Sequence, residues 1–341
     1  MKSVIITGAN GQLGQHMIAH LLSLGEPVRI IGTTRRRSHD TQRFIFDRSK
    51  IEWATMELTD PPNIESLIMS IRPDYFINTA ADTFVGASWK QPVVHFEQNT
   101  LGVLHQLEAI KKHSPHTRYF NSGSSEEFGD GHGVLQNEST PLRPRSPYGA
   151  SKCAARHILN VYRDSYKLWA CSNWSFNFES TLRSEIFLTR KITMGAARIR
   201  KAMDAGQPFN PVEVGNLNTS RAWAHASDVA DAIWRTLNAD VPNDYVISSP
   251  EVHSLHNLVT VAFECAGVLG AWDEDGVFVA CETDGSINAC CVRFNPAFSR
   301  PNDVHWLGGD STKIKAELGW EPKISFASLI KEMVDYDLAQ P

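Results

Sequence analysis

The segment TGANGQLG, residues 7–14, decides the fold of this chain. An apolar run that ends at Thr7 predicts a buried strand, and apolar residues at helical spacing follow from Leu13 to Leu22. Glycines between a strand and a helix allow a tight turn, a close approach of the backbone to a pyrophosphate, and close packing of helix on strand. The helix would present free N–H groups and its positive dipole end to that anion. The segment therefore predicts a dinucleotide site, although such glycines can also serve only as turn residues.

Strands and helices alternate through the first half of the chain. Short runs rich in β-branched and aromatic residues recur at residues 28–31, 75–78 and 119–122, with helical patterns between them, notably over residues 93–112. Strands that alternate with helices imply right-handed crossovers and a parallel sheet that helices cover on both faces. We therefore predict an α/β fold with a doubly wound parallel sheet of the Rossmann type.

The second half of the chain predicts a smaller domain of mixed structure. There the alternation loosens, and helical patterns recur near residues 226–237 and 324–338. We expect residues 1–176 to form the cofactor-binding domain, with a segment near residues 218–250 returning to it. Residues 177–341 should form mainly the substrate-binding domain. The ligand crevice is expected between the two, at the carboxyl ends of the strands.

Composition excludes several classes of protein. The 341 residues are 42% hydrophobic and 21% charged, which is ordinary for a folded globular protein. The net charge of −5 argues against a nucleic-acid partner. No apolar run approaches the ~20 residues of a membrane span, so no membrane partner is expected. The six cysteines lack a CxxC pair and the N-terminus lacks a signal-peptide pattern. We therefore expect a cytoplasmic enzyme without a disulfide scaffold or a metal site.

The end of the second strand indicates which dinucleotide binds. An enzyme that uses NAD commonly places an acidic residue there to accept from the ribose 2′-hydroxyl. Residues 33–38 instead read TTRRRS. Guanidinium groups suit a 2′-phosphate, so we predict NADP with Arg35 and Arg36 as its contacts. The alternative is a solvated run of charge after a strand.

A second group of residues predicts acid–base chemistry. Pro147 is a helix-start signal, and Tyr148 and Lys152 lie on one face of the helix that follows it. The ammonium group is expected to lower the pKa of the Tyr148 phenol towards a value useful for a general base. Ser124 and Glu126 follow an earlier strand and could bind a hydroxyl and transfer a second proton. The alternative interpretation of Tyr148 and Lys152 is an ordinary amphipathic helix. For Ser124 and Glu126 the alternatives are helix capping and solvent exposure.

These residues carry a resemblance to a known family. From end to end the chain resembles the extended short-chain dehydrogenase/reductases, and among them the GDP-mannose 4,6-dehydratases. The glycine turn identifies only the superfamily, whereas the runs at residues 189–192, 215–228 and 300–320 resemble this dehydratase family specifically. Residues 124–126 read Ser-Ser-Glu where the dehydratases have Thr-Ser-Glu.

The resemblance implies an NADP-dependent lyase that converts GDP-mannose or a related GDP-sugar to its 4-keto-6-deoxy product. Tyr148 would remove the proton of the 4-hydroxyl group, and Ser124 would share a hydrogen bond to that group. Glu126 would take the C5 proton and help the 6-hydroxyl group leave as water. Lys152 would hold the nicotinamide ribose. A carboxylate at position 126 distinguishes dehydratases from related 4-epimerases, whose chemistry needs no acid or base at C5.

The resemblance also implies two sets of binding residues. The cofactor-binding set is Gly8, Asn10, Gly11, Gln12, Leu13, Gly14, Arg35, Arg36, Glu57, Leu58, Ala80, Ala81, Tyr148 and Lys152. The substrate-binding set is Ser88, Asn177, Lys191, Gly215, Arg221, Arg300 and Asp303. Spacing alone would equally allow Arg221 and Arg300 to form surface salt bridges. The implied partners are a GDP-sugar and further copies of the chain in a dimer or tetramer.

Several positions depart from the family pattern. Phe84 and Phe178 replace histidines, Asp82 replaces a glutamine, and residues 181–184 replace a Pro-Arg-Arg-Gly run. We expect these changes to cluster around the hexose and to alter which sugar fits, because a hydrogen-bonding pocket strongly rejects an analogue that lacks its partner. Two further interpretations stay open. One is an epimerase or 4-reductase of the same fold, and the other is a non-catalytic relative that has kept the cofactor site.

Overall fold

The computed structural model describes residues 1–35, 43–281 and 287–341, and only the backbone at residues 287 and 288. The strands in chain order are β1 (Lys2–Thr7), β2 (Val28–Thr34), β3 (Glu52–Thr55), β4 (Tyr75–Asn78), β5 (Arg118–Asn121), β6 (Ala170–Ser175), β7 (Asn177–Glu179), β8 (Val212–Val214), β9 (Ser220–His225), β10 (Tyr245–Ile247), β11 (Val252–Ser254), β12 (Gly270–Trp272), β13 (Phe278–Cys281), β14 (Ile287–Phe294) and β15 (Trp306–Leu307).

The α-helices in chain order are α1 (Gln12–Ser23), α2 (Pro61–Ile71), α3 (Val85–Ser88), α4 (Pro92–Phe96), α5 (Gly102–His113), α6 (Pro147–Tyr166), α7 (Leu188–Asp204), α8 (Ala226–Leu237), α9 (Leu255–Cys265), α10 (Thr312–Leu318) and α11 (Phe326–Ala339). Short 3-10 helices cover Arg48–Lys50, Ser125–Glu127 and Pro296–Phe298. Within the described ranges, no helix is long and apolar enough to cross a membrane.

The large sheet confirms the predicted fold class. In the described chain it has seven strands, all parallel, in the order β10-β6-β5-β4-β1-β2-β3. The direction of winding reverses at β1, which pairs with β2 on one side and with β4 on the other. In a doubly wound sheet this reversal opens a crevice at the carboxyl ends of the strands, where ligands bind.

Helices cover both faces of this sheet. Val4 and Ile6 are fully buried and pack with residues of α1 and α8. Ile5 lies between them in sequence and packs with residues of α2, α5 and α6 on the opposite face. Successive side chains of a strand point to opposite faces, so an uninterrupted apolar run marks a strand that is buried on both sides.

Polar side chains connect the carboxyl ends of three neighbouring strands. Asn78 ends β4, and its amide nitrogen donates to Oδ1 of Asn121 on β5 at 2.9 Å. Its own Oδ1 accepts from the Thr7 hydroxyl group on β1 at 2.6 Å. All three side chains are buried, so these bonds satisfy polar groups that would otherwise be costly to bury. They fix the floor of the crevice.

The second half of the chain builds a mixed region, as the sequence predicts. Strand β9 pairs with β7, β11 and β15, and β8 pairs with β14 in a sheet that also contains β12 and β13. Helices α7, α9 and α11 enclose a hydrophobic core against these strands. Strand β10 returns to the large sheet and extends it beyond β6.

The helix that the sequence predicts over residues 93–112 is interrupted. One turn of π-helix, Glu97–Leu101, separates α4 from α5. Within this turn the Asn99 amide bonds the backbone of Asp82 and the hydroxyl group of Ser151. The helical spacing of apolar residues does not reveal these long-range hydrogen bonds. Turns of π-helix often occur at functional sites.

Candidate active site

A cleft of about 1750 Å³ lies at the carboxyl ends of the strands of the large sheet. One wall contains the ends of β1, β2, β4 and β5 and the start of α6, and the other contains β7, the start of α7 and the residues that flank β8. The cleft therefore lies where the reversal of strand order predicts it. Most of the predicted cofactor residues and most of the predicted substrate residues line it.

The glycine turn brings backbone to the floor of this cleft. Gly8 has a φ of +63°, and a Cβ there would lie 3.0 Å from Cα of Ala80. At Gly14 a Cβ would lie 2.3 Å from the Gly8 carbonyl oxygen, so any side chain would push α1 away from β1. Gly11 is the N-cap of α1, and no described side chain caps the helix there. The first turn of α1 is thus open to an anion.

The remaining predicted cofactor residues surround this turn. Those that line the cleft are Gly8, Asn10, Gly11, Gln12, Leu13, Gly14, Arg35, Glu57, Leu58, Ala80, Ala81, Tyr148 and Lys152. Arg35 directly follows β2 and is exposed. Arg36, the second predicted contact for a 2′-phosphate, lies outside the described residues.

The segment after β5 holds Glu126 in a fixed place. The Ser124 hydroxyl group accepts from the Glu126 backbone N–H at 3.2 Å, and the Ser124 backbone N–H donates to Glu127 at 2.8 Å. Glu127 is buried and forms an ion pair with Arg156 at 2.5 Å. This reciprocal capping satisfies the first N–H groups of the short helix. It directs Glu127 inwards and leaves the Glu126 carboxylate at the cleft, where it accepts from the Ser146 hydroxyl group at 3.3 Å.

Helix α6 presents Tyr148 and Lys152 to the cleft. Pro147 occupies the first turn, and the Ser146 hydroxyl group caps the helix by accepting from the Gly149 N–H at 3.0 Å. Lys152 Nζ donates to the Ser122 carbonyl oxygen at 2.8 Å and lies 6.0 Å from the centre of the Tyr148 ring. The helix start that the sequence signals therefore brings both side chains to the cleft lining.

The expected lowering of the Tyr148 pKa is not what the structure shows. Burial raises the pKa of Tyr148 above its ordinary value, the hydrogen bond with Ser124 opposes this, and the charge of Glu126 adds to it. Burial also lowers the pKa of the Lys152 ammonium group to about 8. Spacing along a helix reports which face two residues share, but it does not report how far both are removed from water.

Basic residues line the opposite wall. Arg221 is buried, and its guanidinium group donates to the Val304 carbonyl oxygen at 2.6 Å and to that of Ser220 at 2.9 Å. Burial lowers the pKa of Arg221, whereas the carboxylates of Glu126 and Asp303 act in the opposite direction. Arg300 lies 3.6 Å from Asp303. The predicted substrate residues on this wall are Asn177, Lys191, Gly215, Arg221, Arg300 and Asp303.

Two residues that the sequence places near the sugar, one in the loop after β4 and one in α3, do not line the cleft. Ser88 does not line the cleft: it is fully buried, and its hydroxyl group donates to the Val85 carbonyl oxygen within α3 at 2.7 Å. Asp82, expected to face the sugar, is not part of the cleft lining either. Its carboxylate lies 3.3 Å from Nε2 of His95, behind the wall that carries Tyr148. Hydrogen bonds between the Asp82 backbone and the Asn99 side chain hold Asp82 in this orientation.

Two functional features escape the reasoning from sequence. Arg183, within the divergent 181–184 run, stacks on the Phe187 ring at 3.5 Å, and its charge favours the ionised form of Tyr148. Phe84 meets Phe187 edge to face at 5.9 Å, which gives this part of the cleft an apolar wall. The Phe84–Phe187 contact and the effect of Arg183 on Tyr148 have no signal in local spacing, because each joins segments that are distant in the chain.

Comparison with known proteins identifies the family. The profile described as GDP-mannose 4,6 dehydratase matches residues 5–333. The chain belongs to the GDP-mannose 4,6-dehydratase family. The named members of this family are hydro-lyases. GDP-mannose 4,6 dehydratase 2 of Arabidopsis thaliana is 36% identical over 99% of this chain and 87% of its own length. The GDP-mannose 4,6-dehydratase of Vibrio cholerae is 33% identical over 99% of this chain and 94% of its own length.

Solved structures show the same fold. UDP-glucose 4-epimerase of Thermus thermophilus, solved as a complex with NAD, has a TM-score of 0.79 and 25% identity and covers 99% of both chains. dTDP-glucose 4,6-dehydratase of Bacillus anthracis has a TM-score of 0.78 and 20% identity over 98% of this chain and 96% of that chain. The predicted extended short-chain dehydrogenase/reductase fold is confirmed.

Proposed function

We propose that this family member is an NADP-dependent sugar-nucleotide 4,6-dehydratase that acts on GDP-mannose or a closely related GDP-sugar. The observation that carries the proposal is the position of the Glu126 carboxylate at the cleft, where its charge acts on Tyr148 and on Arg221. In this account residues 1–176 bind the cofactor, with the segment near 218–250 returning to them, and residues 177–341 bind mainly the substrate.

The residues of the first wall fit a dinucleotide. At Gly8 and Gly14 a side chain would collide with neighbouring backbone, so the glycine turn leaves room for a ligand directly against the main chain. The open first turn of α1 suits a pyrophosphate, and the Arg35 guanidinium group suits a 2′-phosphate. Lys152 and Tyr148 would hold the nicotinamide ribose. When bound, NADP would supply reversible hydride transfer, first from C4 of the sugar and then to C6.

The chain's own groups would move the protons. Tyr148 takes the proton of the 4-hydroxyl group while Ser124 hydrogen-bonds the same oxygen. Oxidation at C4 gives a ketone, which acidifies the neighbouring C5–H bond. Glu126 removes the C5 proton and returns a proton to the 6-hydroxyl group, which leaves as water. Return of hydride at C6 leaves an enolate, whose C5 would take a proton from solvent by way of Glu126, while Tyr148 would release the 4-hydroxyl proton to solvent. The reaction then consumes no net reductant, because the electrons removed at C4 return at C6.

The carboxylate at position 126 favours dehydration over epimerisation. Epimerisation at C4 removes and then returns a proton at the 4-oxygen and needs no proton transfer at C5. Glu126 is nearly buried, and placing a carboxylate in such a position is unfavourable unless it has partners or a role. Ser146 is a partner for one oxygen, and the charge of Arg221 provides a second favourable interaction.

The opposite wall suits a nucleoside diphosphate. Lys191, Arg221 and Arg300 bring three cationic side chains to the cleft, and charge-assisted hydrogen bonds from such groups bind diphosphates strongly. Asn177, Gly215 and Asp303 line the same wall and would contact the rest of the nucleotide sugar. Asp303 also holds Arg300 through their ion pair.

The cellular setting and assembly state complete the proposal. All six cysteines are free, which suits a reducing compartment such as the cytoplasm.

Several apolar side chains on α4, α6 and the π turn are exposed, namely Val93, Phe96, Leu101, Val161 and Tyr166. A second copy of the chain would cover this face in a homo-oligomer, a dimer or tetramer. Light scattering on the purified protein tests this, and a monomer would contradict it.

The experiment that tests the proposed reaction follows the C5 proton. The protein is incubated with GDP-mannose and NADP⁺ in heavy water, and the product is analysed by mass spectrometry. The proposal predicts loss of one water together with incorporation of solvent deuterium at C5. Glu126→Gln should abolish both while NADP⁺ binding persists. A wild-type product that keeps its mass but has inverted C4 would instead establish an epimerase.

A further inference from the structure

A buried carboxylate joins the segment that carries Glu126 to residues 300–306. Asp130 follows the short helix that contains Glu126, and only 1% of its side chain is exposed. Three of the contacts of its carboxylate are to nitrogens of His305 and Trp306. Asp130 does not line the cleft, so it does not touch a ligand there. Any effect of Asp130 on ligand binding must therefore act through the position of the 300–306 segment.

Each carboxylate oxygen of Asp130 has more than one donor. Oδ2 accepts from the His305 backbone N–H at 2.9 Å and from the Arg145 guanidinium group at 3.1 Å, and it lies 3.1 Å from Nδ1 of His305. Oδ1 accepts from the backbone N–H groups of His132 at 3.1 Å and Trp306 at 3.3 Å. Burial disfavours the charged form, but the hydrogen bonds from His305 and His132 outweigh it and lower the pKa of Asp130 to about 2. The side chain is therefore an ionised carboxylate with donors at both oxygens.

The 300–306 segment sets the position of two cationic groups of the opposite wall. Arg300 belongs to the segment and lines the cleft. The Val304 carbonyl oxygen accepts from the buried guanidinium group of Arg221 at 2.6 Å, so Arg221 also depends on where the segment lies. Arg221 and Arg300 are two of the three cationic side chains that the proposed function assigns to the diphosphate. A shift of the segment would therefore move both.

Arg145 makes a second connection between the same two parts of the site. Its guanidinium group donates to Asp130 at 3.1 Å and to the side chain of Asn302 at 2.9 Å. The next residue is Ser146, whose hydroxyl group donates to the Glu126 carboxylate and caps α6. The carboxylate proposed to act at C5 and the wall proposed to bind the diphosphate are thus joined through a few neighbouring side chains.

We propose that Asp130 is a positioning residue for the diphosphate of a bound GDP-sugar: it holds the 300–306 segment where Arg221 and Arg300 can reach the same anion. This inference rests on the proposed function, in which that wall binds the nucleotide diphosphate. An anion that bonds two guanidinium groups binds more tightly when both are already in place, because binding then orders fewer side chains.

Asp130→Asn tests this role with little change of shape. The amide has one NH₂ group, and in either orientation that group faces N–H donors, so at least two hydrogen bonds are lost. We expect the Kd for GDP, measured by calorimetric titration of the NADP⁺-loaded protein, to rise ~5–30-fold. The Kd for NADP⁺, measured on protein without cofactor, should stay as in the wild type, because the cofactor residues lie on the other wall.

The split between KM and kcat separates positioning from general destabilisation. With GDP-mannose as substrate, KM should rise together with the Kd for GDP, while kcat stays within about threefold of the wild type. Partial misfolding would instead lower kcat in proportion to the active fraction and leave KM and the Kd for GDP unchanged. That result would overturn the inference.

Asp228→Asn is the matched control. Asp228 is also buried and also joins distant segments, because its Oδ2 accepts from the backbone N–H groups of Lys323 at 3.0 Å and Ile324 at 3.1 Å. It does not line the cleft. The Kd for GDP should therefore be that of the wild type, and an equal rise in both variants would assign the effect to a general loosening of the fold.

Arg145→Gln carries the test if Asp130→Asn does not fold. This side chain is partly exposed, and the change removes contacts with both Asp130 and Asn302. The Kd for GDP should rise ~3–10-fold. If both variants fold, the double variant should lose less affinity than the product of the two effects, because both changes act on one set of contacts.

The two proposals fail in different ways. If the wild-type protein binds GDP but does not dehydrate GDP-mannose, the proposed reaction fails while the titration with GDP still tests Asp130. If Asp130→Asn and Arg145→Gln bind GDP as the wild type does, the inference about Asp130 is overturned. A wild-type protein that does not bind GDP would overturn both the assignment of the diphosphate wall and this inference.

Discussion

The hydroxyl group of Ser146 donates to Oε2 of Glu126 at 3.3 Å. The same hydroxyl group accepts from the Gly149 N–H at 3.0 Å and so caps α6, whose second residue is Tyr148. One side chain therefore joins the start of the Tyr148 helix to the carboxylate proposed to act at C5. The two proposed proton-transfer groups are fixed relative to each other before any substrate binds.

Tyr148→Phe should lower kcat roughly 10²–10⁴-fold, because it removes the proposed general base and keeps the ring. The melting temperature and the affinity for NADP⁺ should change little, since the phenol oxygen is one contact among many. Steady-state kinetics and calorimetric titration with NADP⁺ measure the two effects. A variant with wild-type turnover would exclude Tyr148 as the base.

Arg35→Ser should weaken NADP⁺ binding roughly 10–100-fold, because it removes a charge-assisted contact to the 2′-phosphate. The affinity for NAD⁺ should be nearly unchanged. Arg29→Ser is the matched control: Arg29 lies on β2, the strand that Arg35 follows, and forms an exposed pair with Glu52. Equal losses for both cofactors would show that Arg35 does not read the 2′-phosphate.

Arg221→Lys should raise KM for the GDP-sugar about 10–100-fold and leave NADP⁺ affinity intact. A lysine cannot reproduce the fork that bonds the Val304 and Ser220 carbonyl oxygens while facing the cleft. Arg293→Lys, in an exposed pair with Glu213 outside the cleft, serves as control. An unchanged KM would place the diphosphate elsewhere.

Acid should destabilise the protein through His16. Burial, with a contribution from the facing His225, lowers the pKa of His16 from 6.5 to about 4, although Glu332 acts in the opposite direction. The folded state therefore prefers the neutral ring. This stability is fully present above pH 6.5 and is lost as the pH falls towards 4, by about 3 kcal/mol in total.

Denaturant unfolding between pH 7 and pH 4 measures this loss. His16→Gln should flatten the dependence of the free energy of unfolding on pH over that interval. His157→Gln removes an exposed histidine from α6 and should leave the slope as in the wild type. A slope that survives His16→Gln would assign the acid sensitivity to other groups.

The local signals of the sequence predict much of the site. Pro147 and the glycine turn mark the starts of α6 and α1, and those starts place Tyr148, Lys152 and the open helix N-terminus at one cleft. Such features depend on a few neighbouring residues, so spacing alone can reveal them.

The rest of the site depends on contacts between distant segments. Asp82 bonds to the Asn99 side chain through its backbone and lies against His95, outside the cleft lining. The helical periodicity of residues 93–112 does not indicate the π turn that carries Asn99. The pKa of Tyr148 rises because of burial, which is a property of the folded protein. Arg183 acts on Tyr148 from a segment that is distant in the chain.

The central claim is a redox-neutral dehydration at this cleft, and one measurement tests it most directly. Purified protein is incubated with GDP-mannose and NADP⁺ without a reductant, and the nucleotide sugar and the absorbance of NADPH are both followed. The account predicts a product lighter by one water, formed with many turnovers per cofactor and no net NADPH. Stoichiometric NADPH, or unchanged GDP-mannose with folded protein that binds NADP⁺, would contradict it.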